Sequence, residues 1–327
     1  MRPSKIAALT AAALSLILPS CTTAQPALPD PSDPYQLRDR VASATGQQFL
    51  KDVTIFKWKD HGARVAHLFT WVPEWSTASV PTERQAAADT AYGIVTFLAD
   101  TAPTLLKLDK ANNGNVTVGD INPAIVESYT NAVIPFLGAM VGDPGNVAGF
   151  QPLDPLDSTM PRTFAAFTVL GTTATSSADL GAAIVNLTDH YREVLANSLA
   201  ANPVDDNSIS TQVARLAQLF GLAFASELKA PASSPYIFDP EVVRTELDYT
   251  LARATIVGPN EDVDRRYFDV GGKLLAPEYV RQHLGEAAWA EYSGMLSRYV
   301  ARSNSLNGVD SKFSDQLSKT ISSNRRR

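Results

Sequence analysis

The chain has 327 residues, 45% of them hydrophobic, 8% aromatic and 19% charged, with 18 Gly and 21 Pro. That balance excludes a disordered or collagen-like chain and suffices for a sizeable core. Against 34 acidic residues stand 28 basic ones, a formal charge of −6, which argues against a dedicated nucleic-acid binder. The single cysteine excludes an intramolecular disulfide and a Cys-rich metal site.

The N-terminus reads as an export leader. Arg2 and Lys5 form a basic start, and residues 6–18 are an apolar run too short for a bilayer of about 30 Å but suited to a signal-peptide core. The run ends at Leu18-Pro19-Ser20-Cys21, with the only cysteine directly after a small residue. This arrangement resembles a bacterial lipobox, with Leu18 three places and Ser20 one place before the cysteine; Pro19 departs from the usual choice between them. The resemblance implies that residues 1–20 are removed and that Cys21 carries a lipid. Residues 21–35 are Pro-rich and polar, as a tether to a membrane would be. Losing Arg2 and Lys5 takes the formal charge from −6 to −8. Anionic lipid weakly repels such a body, so acylation would have to hold it.

Beyond the tether the hydrophobic period is that of an α-helix. Val65, Leu68, Phe69 and Val72 share a face with His61; Ala87, Ala91, Ile94, Val95 and Leu98 form the next stripe. Ile184, Leu187, Tyr191, Val194 and Leu195 mark a third, and Val213, Leu216, Ala217, Phe220 and Phe224 a fourth. Asp239-Pro240-Glu241 and Ala276-Pro277-Glu278 announce two further helix starts, the first closed by Gly258-Pro259 and the second carrying Val280, Leu284, Ala288, Tyr292, Leu296 and Tyr299. Strand signals are limited to Val116–Val118. The expected fold is all-α: a multi-helix bundle, as one body or as two helical halves, residues 36–141 and 163–305. A Gly/Pro/Asp-rich connector at 142–162 joins them. Residues 306–327 read as a polar tail ending in Arg325-Arg326-Arg327, within which Phe313, Leu317 and Ile321 suit one marginal helix. No internal period of 33–47 residues announces a solenoid.

Local chemical signatures are sparse. Laid on a calcium-binding EF-hand loop, Asp109, Asn113, Asn115, Thr117 and Asp120 fall where oxygen ligands would stand, with Gly114 at the sharp turn. Ala111 leaves the third position without an oxygen, and Asp120 reaches less far than the usual Glu. The competing reading is an Asn-Gly turn between helices, with Asn122 as cap and Pro123 in the first turn. Ser226 and Lys229 match the Ser-x-x-Lys of penicillin-recognising enzymes, but Lys319-Thr320 is followed by Ile321 rather than the Gly that family also carries. His61, His67, His190 and His283 form no metal-binding pair, no Gly-x-Ser-x-Gly elbow occurs, and Gly271-Gly272-Lys273 lacks the earlier glycine of a phosphate loop. Glu261, Asp262, Asp264 and Asp269, interleaved with Arg265 and Arg266, read as a solvated loop with local ion pairs. Trp58, Trp71 and Trp75 read as core or as an aromatic patch for a partner, with His67 packed on Trp71 one turn away.

Three phrases carry a family resemblance: Lys59-Asp60-His61-Gly62, Val118-Gly119-Asp120-Ile121-Asn122-Pro123, and the run from Ala132 to Asp143. Over about Gln47 to Gly294 the chain resembles the actinobacterial "TPR repeat region-containing" proteins common in mycobacteria. The resemblance implies a helical body with tetratricopeptide-like interaction surfaces in an envelope setting; it implies no reaction. The expectation is a lipid-anchored protein on the outer face of the cell membrane that binds an envelope or secretion-associated protein partner, with no cofactor unless calcium sits at the 109–120 loop. The alternatives are a cell-wall or lipid hydrolase using Asp262 or Asp269 with a His, and an immunity-type lipoprotein neutralising a secreted toxin.

Overall fold

The computed structural model describes residues 24–108, 116–143, 145, 147, 149–156, 158–201, 206–228 and 239–325. Within them the chain is helical with no strand; the sole ladder element is an isolated bridge between Phe268 and Leu274. Residues 25–30 lead in without regular structure, and Leu28 packs against the body. Asp33 then caps α1 (Pro34–Ala42), its carboxylate accepting the Gln36 N–H at 2.9 Å. Then come α2 (Gly46–Ile55), α3 (Ala63–Ala66), α4 (Val72–Ser76) and the central α5 (Pro81–Leu105). Ala86, Ala87, Ala88 and Ala91 of α5 are all buried, so more than one face lies against neighbours; small side chains let α1, α4 and α9 approach together. Short α6 (Val118–Ile121), α7 (Pro123–Val133) and α8 (Leu137–Met140) complete the N-terminal part.

The expected connector ends at α9 (Pro161–Leu170). Asp154, itself 6% exposed, supplies the missing cap from seven residues before that helix begins. Its carboxylate accepts the Thr163 N–H at 2.9 Å, the Thr163 hydroxyl at 2.8 Å and the Arg162 N–H at 3.2 Å. Next come α10 (Ala174–Ala201), α11 (Asp206–Glu227) and α12 (Pro240–Thr255). Gly171, at the end of α9, lies so close to α11 that a Cβ there would stand 1.8 Å from the Ser226 carbonyl oxygen. One apolar core runs from Leu37 through Phe136, Phe167 and Leu216 to Phe313, so the two expected halves share it.

Three expectations are corrected. The stripe from Val280 to Tyr299 is two helices, α13 (Pro277–Leu284) and α14 (Glu286–Arg302), because Gly285 adopts φ +87°. Leu284 is accordingly exposed, while Val280, Tyr292 and Leu296 join Tyr267 and Trp289 in a smaller second core. His61 does not share the face of Val65 and Leu68: it precedes α3, exposed, with φ +54°. The polar tail is α15 (Asn304–Arg325), which packs along α11 and buries Leu306, Val309 and Phe313.

Candidate functional site

Among the described residues, two apolar hollows adjoin to form a two-lobed groove. Its ridge is Ile134-Pro135, which lines both lobes. Pro135 has no N–H to continue α7, so the chain passes through a 3₁₀ turn over Ile134–Phe136 before α8 begins. One lobe, about 490 Å³, lies between this turn and α10, with Leu137, Ala183 and Leu187 on its walls. The other, about 600 Å³, lies between α7 and the α3–α4 corner, lined by Phe69, Pro73 and Ala124. His190 and His67, both exposed, stand one in each lobe. The charged side chains lining them are Asp143 and Glu127.

Polar groups converge at the α10 wall of the first lobe. Tyr191 is 1% exposed, and among the described residues its hydroxyl has no hydrogen-bond partner. Burial, then the neighbouring Asp143 carboxylate, raises the phenol far above its ordinary value, with Arg215 opposing; the hydroxyl stays protonated. Arg215 donates from Nη2 to the Gly142 carbonyl at 2.7 Å, pairs through Nη1 with Asp143 at 3.3 Å, and lies 5.5 Å from the Tyr191 ring centre. Gly138 makes room: a Cβ there would come within 2.9 Å of the Asp143 carbonyl and 3.2 Å of the Tyr191 hydroxyl. The cluster ties α8, α10 and α11 together beneath the lobe.

A second cavity, about 390 Å³, opens on the other side of α10, among α11, α12 and α13. Its floor includes Ile184, Phe220 and Val243, and its polar lining includes Asp189, Glu246, Glu278 and Arg192. Arg192 bridges Asp189 and Glu246, at 2.5 Å from the latter. Burial first raises the Glu246 carboxyl; Asp189 and Glu278 add to the rise and Arg192 opposes it. This network fastens α10 to α12.

Most candidate residues from the sequence have structural duties or fall elsewhere. Cys21 and the would-be calcium ligands Asp109, Asn113 and Asn115 lie outside the described residues. Thr117 and Asp120 form a capping box for α6: the Asp120 carboxylate accepts the Thr117 N–H at 2.7 Å and its hydroxyl at 2.8 Å. Asn122 does stand at the cap position of α7, but its side chain serves another purpose. Fully buried, its amide donates to the carbonyls of Thr54 and Phe56 at 2.9 and 2.8 Å, and its oxygen faces the Trp58 N–H at 3.4 Å. Ser226 is buried and donates to the Ala223 carbonyl at 2.8 Å; Lys229 lies outside the described residues. Asp262 is paired with Arg302. Asp269 accepts the N–H groups of Gly271 and Lys273, each at 2.8 Å. His283 stacks on Tyr279, and all four histidines are exposed.

Trp58 and Trp71 are core residues. Their indole N–H groups donate to Val53 and Leu68 carbonyls at 2.7 and 2.8 Å. Trp71 packs against the half-buried Trp75, ring centres 4.9 Å apart, the aromatic neighbour the structure gives it where the sequence suggested His67. The groove itself is not announced by any motif. Tyr191 reads as one more apolar position of a helical stripe, and Asp143 as one of several turn acids in the connector; only tertiary packing joins them. Among the described residues no group of three or more His, Cys, Asp or Glu side chains is disposed to hold a metal, and no helix is long and apolar enough to cross a membrane. Compared with protein-family models, with curated proteins and with solved structures, the chain matches none.

Proposed function

We propose that this is a lipid-anchored, extracytoplasmic binding protein whose helical body presents the Ile134–Pro135 groove to a protein partner of the envelope or of a secretion-associated assembly. The observation that carries the anchor is the position of the sole cysteine, at the end of a leader-like apolar run and before a Pro-rich stretch. The observation that supports binding is the open, two-lobed apolar surface, about 490 and 600 Å³, with few charges. The tether is shorter in effect than its sequence: Leu28 already packs on the body, seven residues after Cys21. Fully extended, those residues span about 25 Å, so an acylated Cys21 holds the body close to the lipid.

Two experiments test the reading. Cys21→Ala should move the protein from the membrane fraction to the soluble extracytoplasmic fraction; a variant that stays with the membrane refutes the anchor. A photo-crosslinking residue placed at Asn131 or Asn186, one on each lobe and both exposed, should capture the same partner in living cells. Capture equal to that from exposed Val257, remote in sequence from both lobes, refutes the groove.

A further inference from the structure

An aromatic and apolar patch includes Tyr35, in the first turn of the helix that follows the tether. Tyr35, the second residue of α1, is 40% exposed, and its ring centre lies 5.1 Å from that of the half-buried Trp75. Its hydroxyl stands 3.5 Å from the Thr82 hydroxyl in the first turn of α5. Val80, just before that turn, is 44% exposed. The three side chains come from α1, α4 and the start of α5. Tyr and Trp suit a surface that is apolar at one end and wet at the other, the character of the headgroup region of a bilayer. Glu74 directly precedes Trp75, and Glu83 follows Val80 by three residues in the first turn of α5. With acids so close, contact must be shallow rather than an insertion.

We propose that the Tyr35–Trp75–Val80 patch is a membrane-contact surface, resting on the same lipid that anchors Cys21. The proposal depends on the anchor reading above and adds an orientation to it. The argument for this occupant is the chain itself. Residues 1–23 lie outside the described structure, Leu28 is fixed to the body near Gln36, and Tyr35 is the neighbour of Gln36. An acyl chain on Cys21 therefore enters the bilayer within about 25 Å of Leu28, and the end of α1 nearest the tether is drawn toward the lipid. At so short a tether, the effective concentration of membrane at the patch is high, so a small apolar surface suffices for contact.

The test uses the full-length, natively acylated protein. Acylation blocks the Cys21 thiol, so Val80→Cys introduces one free thiol, which is labelled with an environment-sensitive fluorophore. The protein is reconstituted into vesicles of phosphatidylethanolamine and phosphatidylglycerol. The label at position 80 should brighten and shift to the blue on reconstitution, while the same label in a Val257→Cys protein should keep its emission in water. Tyr35→Ser added to the Val80→Cys protein should diminish the shift. Protein that floats with the vesicles but shows water-like emission at position 80 overturns the contact surface and leaves the anchor standing. Protein that does not float, or that carries a reactive thiol at Cys21, overturns the anchor and with it this proposal.

Discussion

Asp248→Asn probes a buried charge of high cost. Asp248, on α12, is 1% exposed, and its Oδ1 has no hydrogen-bond partner among the described residues. Its charged neighbours are Asp310 on α15 and Arg244 one turn before it; Arg244 is itself paired with Asp310 at 3.1 Å. Burial, and then the Asp310 charge, push the Asp248 carboxyl up from 3.8 to about 7 against the pull of Arg244. The folded value lies above the unfolded one, so the folded chain binds the proton more tightly. Stability is undiminished below about pH 4, falls as pH rises from there, and reaches its full loss above about pH 7. At 1.36 kcal/mol per pH unit, the gap amounts to about 4 kcal/mol. Asn keeps the shape and removes the charge. Urea denaturation of both proteins at intervals from pH 4 to 8 measures the difference, and pH effects common to the two cancel. The variant should gain on the wild type steadily across pH 4–7, and the gain should level off above. A difference that stays constant with pH, or a variant less stable at pH 8 than at pH 5 relative to wild type, refutes the reasoning.

Three further outcomes follow from the packing. Asn122→Ala strands the buried Thr54 carbonyl, the part-buried Phe56 carbonyl and one N–H between α2 and α7, and should cost about 3 kcal/mol in urea denaturation. Phe313→Ala removes a side chain 2% exposed that packs edge-on to Phe220; it should cost about 3 kcal/mol, whereas a solvated tail would register nothing. Tyr191→Phe deletes a buried hydroxyl without a partner, so its thermal midpoint should equal or exceed that of the wild type; a large drop would mean that the hydroxyl is bonded in solution.

The helical architecture was legible because core-facing residues repeat at the helical period: Ala87, Ala91, Ile94, Val95 and Leu98 are all buried as their spacing implies. Its interruptions were less legible. Gly285 is compatible with a continuing helix in sequence, and only the left-handed φ it adopts separates α13 from α14. Residues 306–327 are polar on average, yet Leu306, Val309 and Phe313 find a ready-made surface on α11, which composition does not reveal. Asn122 has the sequence of a cap and the chemistry of a buried clamp, because the carbonyls it serves belong to a segment more than 60 residues earlier. The groove is hidden for the same reason: Ile134-Pro135 is a local break, but its lobes are completed by α3, α4 and α10.

Mass spectrometry of the protein purified from its native membrane tests the central claim most directly. The account predicts a chain beginning at Cys21, with residues 1–20 absent and lipid on the cysteine. A mature chain with an unmodified Cys21 thiol, or one that retains Met1 to Ser20, would contradict it.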